Sequence, residues 1–277
     1  MGRILTALDR YKQQYPKGKS VAPADRPAGV QGPSAGIVYS RTRSENVLLS
    51  VLRENRVLAA FEEGPYTDAY KILRTQVMHR MRENAWSVLA VTSPGEGEGK
   101  TLTAVNLAVS LALEVTQTVL LVDANLRAPS VHHAFGLMEQ RGLSDYLLHD
   151  TPIEDLLVHP GIRRFVLLPG GRRIQNSVEL LTSPRMVALV KELKQRYPSR
   201  FVIFDLPPLN RAADVLAFSP YVDATLIVVE EGRTTVADVE RALLLLKGAT
   251  PVIGTVLNKA GRLNAPSAPG GHPRSAR

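Results

Sequence analysis

The chain has no cysteine among its 277 residues. That excludes disulfides, zinc–thiolate sites and iron–sulfur clusters, and it fits a reducing compartment. Long apolar runs are also missing. Runs such as 119–122 and 226–229 are strand-sized, whereas a membrane-crossing helix needs roughly 20 apolar residues. The opening MGRILTALDRYKQQ lacks the apolar core of a secretory signal, so a cytoplasmic location is expected. Acid is scarce at both ends. Residues 1–60 hold ten Lys/Arg against four Asp/Glu, and 261–277 hold three arginines and no acid. The overall charge of +8 therefore belongs to the termini, and 61–260 is close to neutral. A basic tail can rest on anionic lipid or bind nucleic acid weakly, but solvated tails are the reading favoured here, and nucleic acid is not an expected partner.

Residues 16–35 carry four prolines, three glycines and few large apolar side chains, too little to offset the entropy of ordering. A flexible linker is expected there. Before it, Ile4, Leu5, Leu8 and Tyr11 share one face of a short helix suited to docking or to a membrane surface. The end, GRLNAPSAPGGHPRSAR, is again rich in proline and glycine. The expected layout is a basic, mostly disordered segment over 1–60, a folded body over 61–260 and a disordered tail over 261–277. No internal repeat is visible.

Within the body, strand-like runs at 87–92, 118–123, 164–168, 201–205, 225–229 and 251–257 alternate with helical stretches at 102–113, 184–196 and 236–246. Strands separated by helices of that length build βαβ units, hence an α/β fold with a mostly parallel sheet and helices on both faces. Ligands of such sheets bind beyond the carboxyl ends of the strands.

The first strand runs into SPGEGEGKT, and LTAVNLAVSLAL follows as a helix. Strand, glycine loop, helix is the setting of a P-loop, in which backbone N–H groups wrap a phosphate at a helix start. The loop from Gly95 through Glu96, Gly97, Glu98 and Gly99 to Lys100, Thr101 and Leu102 is expected to hold a nucleotide. Lys100 would reach the β- and γ-phosphates and the Thr101 hydroxyl would bind Mg²⁺. Pro94 stands where the strict pattern has glycine, and Glu96 and Glu98 are expected to point outward, away from the anion. A second strand, VLLVDANLRAPS, delivers Asp123, Asn125 and Arg127 at its carboxyl end. A third, FVIFDLPP, delivers Asp205, placed to hold the Mg²⁺ shell through water. His132 and His133 are adjacent and diverge by about 100° on a helix, so no metal role beyond Mg²⁺ is assigned to them.

SPGEGEGKT, VDANLR and IFDLPP, in this order and at these spacings, resemble the boxes of the bacterial tyrosine kinases. These are P-loop autokinases of capsule and exopolysaccharide synthesis, unrelated in fold to eukaryotic kinases. The resemblance covers about 66–259, including DAYKILRTQV, GLSDYLL, LLPGG, ELL and GTVLNKA. It implies ATP and Mg²⁺ as cofactors, Asp123 as the carboxylate that receives the tyrosine proton, and Arg127 as the basic member of the second box. It also implies a nucleotide-reading role for Asn258. A carboxylate of pKa ~4 is a weak base toward a phenol of pKa ~10, so Asp123 is expected mainly to position the hydroxyl. Asp68, Lys71 and Arg74 recur every three residues, like the family's subunit-joining helix, which implies a homo-oligomer.

Three departures stand out. Asn125 replaces the second acid of the D-x-D-x-R box, which should weaken Mg²⁺ binding. The tail has no tyrosine, leaving Tyr11, Tyr15 and Tyr39 as candidate acceptors in the N-terminal segment. No span accompanies the kinase, so the membrane activator should be a separate chain-length-determinant protein. Partition-type ATPases resemble the same boxes but carry a lysine where Gly95 stands, and cluster-carrying relatives need cysteines. An ATP-binding interaction subunit that phosphorylates nothing is the alternative that these departures leave open.

Overall fold

A computed structural model describes residues 42–61, 63–113, 118–196, 200–210 and 213–261. The strands are β1 (Arg43–Ser44), β2 (Val88–Thr92), β3 (Thr118–Asp123), β4 (Val158–His159), β5 (Phe165–Leu168), β6 (Arg200–Asp205), β7 (Ala224–Glu230) and β8 (Val252–Asn258). They form one eight-stranded sheet in the order β1-β4-β5-β3-β6-β2-β7-β8. The pairs from β5 through β3, β6, β2 and β7 to β8 are parallel, and only the short β4 runs antiparallel to β5.

The helices are α1 (Leu49–Glu54), α2 (Pro65–Glu83), α3 (Lys100–Ala112), α4 (Val131–Ala134), α5 (Leu143–His149), α6 (Ser177–Leu181), α7 (Pro184–Arg196), α8 (Ala213–Phe218) and α9 (Val236–Leu246). Successive strand residues feed opposite faces, because side chains alternate across a sheet. Val88 and Ala90 join Met186, Leu189, Val190, Leu193 and Val239 in one core. Leu89 and Val91 join Val77, Met81, Leu107 and Leu111 in the other. The central strands are buried on both faces, which is why they read as continuous apolar runs. Helices therefore cover both sides, as the alternation requires.

α2 starts at Pro65 directly after Gly64 (φ 134°), a helix start that suits proline because its missing N–H is not needed there. Thr235 caps α9 reciprocally with Asp238.

One expected boundary moves. The expected N-terminal segment extends to residue 60, but β1, α1 and the turn at Leu58–Ala60 belong to the body, and Leu52, Val57 and Ala59 are buried in the α2–α3 core. The run VLLSVLRENRVLAA thus supplies core residues instead of continuing the linker. The proposed docking helix at Ile4–Tyr11, the linker at 16–35 and the tail beyond 261 lie outside the described residues. Among the described residues, no helix is long and apolar enough to cross a membrane.

Candidate active site

β2 stops at Thr92, and the chain turns through the glycine loop into α3, whose first residue is Lys100. Around Pro94 the segment after β6 braces the loop. The Thr92 hydroxyl donates to the Pro207 carbonyl at 2.7 Å, Leu209 N–H to Ser93 O at 2.8 Å, and Asn210 N–H to Pro94 O at 3.1 Å. Gly97 and Gly99 take positive φ, 74° and 92°, which side chains disfavour. At Gly99 space matters as well, since an added Cβ would sit 2.0 Å from Asn258 Nδ2.

The two acids of the loop divide. Glu96 is exposed, as expected. Glu98, expected outside, is buried: its Oε2 accepts from Gly95 N–H at 2.7 Å and its Oε1 from the Thr234 hydroxyl. The loop's own curl brings this carboxylate back over its first amide, so it acts as an internal brace. Two further contacts fix the loop from β8. Asn258 Nδ2 donates to Glu98 O at 2.9 Å, and Lys259 Nζ donates to Gly97 O at 2.8 Å. One N–H of the Asn258 side-chain amide is thus engaged with the loop backbone. Lys259 stands in the GTVLNKA stretch without a role assigned from the sequence, and Thr234 stands in no motif.

At the mouth, Lys100 Nζ donates to the Thr101 hydroxyl at 3.0 Å, and that hydroxyl donates to Asp205 Oδ2 at 2.7 Å. Lys100 Nζ lies 3.6 Å from Asp205 Oδ1, a fully buried oxygen with no hydrogen-bond partner. Asp123 and Asp205 are register partners at the ends of neighbouring strands β3 and β6, which run about 4.8 Å apart. Asp123 is held by backbone alone. Its Oδ2 accepts from Ser130 N–H at 2.8 Å and Val131 N–H at 3.0 Å, and its Oδ1 from Asn125 N–H at 3.2 Å. Burial, and then the charge of Asp205, push Asp123 up to about 7, against the opposing pull of the Val131 and Ser130 amides and of Lys100. Burial raises Asp205 too, opposed by Lys100 and Thr101. Two buried carboxylates sharing one lysine cannot both be ionised cheaply, so the site is short of positive charge.

That shortage fits a divalent cation. The orphaned Asp205 Oδ1, the Thr101 hydroxyl and the nearby Asn125 are hard oxygen donors of the kind Mg²⁺ takes, leaving positions for water and phosphate. Asn125 is buried, and its Nδ2 donates to Ala128 O at 3.1 Å, so its amide nitrogen is engaged inside its own turn.

Other expected residues are placed differently. Arg127, half-exposed, pairs through Nε with Asp214 Oδ2 at 3.1 Å, and the Ser177 hydroxyl donates to the other oxygen of this buried acid. Arg127 is therefore tied to the starts of α6 and α8. Asp214 and Ser177 were missed because neither stands in a recognisable box. On α2, Asp68 and Lys71 form a local pair at 3.1 Å, but Arg74 turns inward and donates to Ser110 O on α3 at 3.0 Å. The three do not present one free face. His132 is buried against His133, and burial lowers its pKa. Among the described residues, no group of three or more His, Asp or Glu side chains is placed to hold a metal ion by itself.

Comparison with known proteins agrees with this geometry. The model of the CobQ/CobB/MinD/ParA nucleotide binding domain matches residues 89–267. The tyrosine-protein kinase YwqD of Bacillus subtilis is 32% identical over 212 residues, covering 76% of this chain and 87% of YwqD. The putative tyrosine-protein kinase CapB of Staphylococcus aureus is 28% identical over 194 residues, covering 70% and 84%. The crystal structure of the VpsO kinase domain superposes with a TM-score of 0.65 at 28% identity, covering 76% of this chain and 98% of that domain. By its matched domain and its relatives, this chain belongs to the bacterial tyrosine-kinase family of P-loop nucleotide-binding proteins.

Proposed function

We propose that this chain is an ATP- and Mg²⁺-dependent protein-tyrosine kinase that phosphorylates itself, and that it regulates exopolysaccharide synthesis or export. The observation that carries the reading is the junction of Lys100, Thr101 and Asp205, with Asp123 in register beside it.

Lys100 and the amides of 95–102 would bind the nucleotide phosphates, with Lys100 giving up its present contact to Thr101. Thr101 and Asp205 would hold Mg²⁺, directly and through water, and Asn125 would offer an amide oxygen. Bound Mg²⁺ supplies charge neutralisation at the β- and γ-phosphate oxygens. Asp123, held by the three amides, accepts a hydrogen bond from the tyrosine hydroxyl, orients its oxygen and receives its proton. Its raised pKa makes it a better proton acceptor than an exposed carboxylate, which narrows the mismatch with a phenol. Arg127, anchored to Asp214, stands as a fixed positive group on the same rim.

The setting rests on the family resemblance. A separate membrane chain-length-determinant protein would bring the chain to the inner face of the membrane, and α2 would contribute to a homo-oligomer through Asp68 and Lys71. The test is incubation of the full chain with labelled ATP, Mg²⁺ and the partner's cytoplasmic segment, followed by detection of phosphotyrosine. Label that is absent with Lys100→Ala supports the reading. Nucleotide binding without label, in the native chain and in Asn125→Asp alike, would replace it with that of an interaction subunit.

A further inference from the structure

The rim on the Asp123 side of the mouth carries an arginine cluster that the chemistry above does not use. β5 ends at Leu168, and the chain continues Pro169-Gly170-Gly171-Arg172-Arg173. Gly170 lies against the acid: an added Cβ would sit 3.2 Å from Asp123 Cγ and 2.7 Å from Pro129 Cβ. The next residues are pinned on both sides. Arg172 N–H donates to the Ser144 hydroxyl at 3.0 Å, and Ile174 N–H donates to Leu126 O at 2.8 Å. A second segment meets the first here. Leu143 N–H donates to Pro169 O at 2.8 Å and Ser144 N–H to Gly170 O at 3.0 Å, which places Arg141 beside the same rim.

Arg141, Arg172 and Arg173 are all exposed, and none has an ion pair among the described residues. Two carboxylates lie nearby: Asp145 is turned to cap α5, accepting from Gly142 N–H at 2.9 Å, and Glu139 accepts from Arg141 N–H at 3.2 Å and pairs with the Arg43 guanidinium. Consecutive Cα atoms are about 3.8 Å apart, so Arg172 starts within roughly 8 Å of Gly170. From that distance an extended arginine side chain is long enough to reach the flanks of a substrate whose hydroxyl sits at Asp123.

We infer that Arg141, Arg172 and Arg173 form an acceptor-specificity subsite for acidic residues flanking the phosphorylated tyrosine. This rests on the tyrosine-kinase reading of the same site and narrows its substrate class. It also ranks the chain's own tyrosines. Tyr11 and Tyr15 stand among Arg10, Lys12, Lys17 and Lys19, which the subsite repels. Tyr66 is flanked by Glu62, Glu63 and Asp68, and among the described residues it is the exposed tyrosine, at 65%. The matched acceptor is an acidic segment such as 62–68 of a second copy. In that transfer the Tyr66 oxygen bonds to the γ-phosphorus of ATP, the bond to the β,γ-bridging oxygen breaks, ADP leaves and the phenol proton passes to Asp123.

The test uses the full chain with ATP and Mg²⁺, and labelled peptides copying residues 61–69. The acidic probe has the native flanks, and the basic probe has lysine at the three acidic positions. Each is made with tyrosine for transfer and with phenylalanine for binding. The acidic phenylalanine probe should bind about tenfold more tightly than the basic one, at low salt, in the manner of rim charges. Arg172→Glu/Arg173→Glu should abolish that preference, Arg172→Lys/Arg173→Lys should largely keep it, and ATP affinity should not change. Equal binding of both probes by the native chain overturns the subsite, as does a loss of ATP affinity in the reversed variant, which would make the arginines phosphate ligands. Selective binding without transfer to either tyrosine peptide supports the subsite and counts against the kinase reading alone.

Discussion

The two strand ends that form the mouth hold their acids in opposite ways. At the end of β3, Asp123 is held by three backbone amides, those of Asn125, Ser130 and Val131. At the end of β6, Asp205 is held by two side chains, Thr101 and Lys100, and keeps one buried oxygen with no hydrogen bond. Amides cannot leave, whereas a hydroxyl and an ammonium can re-aim. On the proposed reading, the β3 end would serve as a fixed platform for an acceptor, and the β6 end as a switchable one for metal and phosphate. The ligand-free protein bears the cost in the form of two raised carboxylates side by side.

The strongest way to break this contrast is Lys100→Ala. Lys100 is the cation between the two acids, and removing one member of a buried pair costs about 3 kcal/mol or more. Nucleotide heats in calorimetry should vanish. Thermal unfolding should show a large loss at about pH 8 and a smaller one at about pH 5, where the carboxylates take up protons instead.

Asp123→Asn attacks the fixed side. Transfer should fall by about a hundredfold or more, the usual scale for a positioned proton acceptor. Stability should move the other way. The folded pKa is raised, from 3.8 to about 7, so between those values the native state keeps a proton that the unfolded chain has released. Ligand-free stability therefore falls as pH rises from about 4 to about 7. The asparagine variant lacks this slope, so its melting temperature should exceed that of the native chain at neutral pH and match it near pH 4.

Asn125→Asp sharpens the comparison by adding a third acid two residues after Asp123. The donor to Ala128 O is lost and charge is added where it is already in excess, so ligand-free stability should drop by about 1–3 kcal/mol. Mg²⁺ titration of the nucleotide-loaded protein should show several-fold tighter binding.

Much of this was legible in the chain because backbone patterns repeat. The expected strand 118–123 and the helices at 184–196 and 236–246 agree with β3, α7 and α9, and Asp123 and Asp205 end their strands as read. What escaped depends on contacts distant in sequence. Glu98 is turned inward by Thr234, and Arg127 is taken by Asp214. Arg74 is drawn to the end of α3, and the segment 43–60 is recruited to the core by α2 and α3. No local period carries such pairings. A buried acid inside a phosphate loop looks, in sequence, like any solvated glutamate.

Thr234 gives the smallest and most specific test, because it belongs to neither strand end. Its hydroxyl donates to Glu98 and accepts from Glu230 N–H at 2.8 Å, joining the loop after β7 to the phosphate loop. Thr234→Val keeps the shape and removes both bonds, leaving Glu98 Oε1 without that donor in a position where the residue is 3% exposed. The expected cost is about 1–2 kcal/mol of stability, with a few-fold loss of nucleotide affinity as the loop loosens at Gly95. Thr234→Ser, which keeps the hydroxyl, should restore most of both. If valine weakens nucleotide binding while stability is unchanged, the hydroxyl itself faces the nucleotide. If it lowers stability and leaves affinity intact, the loop is held well enough by Asn258 and Lys259, and the Glu98 brace serves the fold alone.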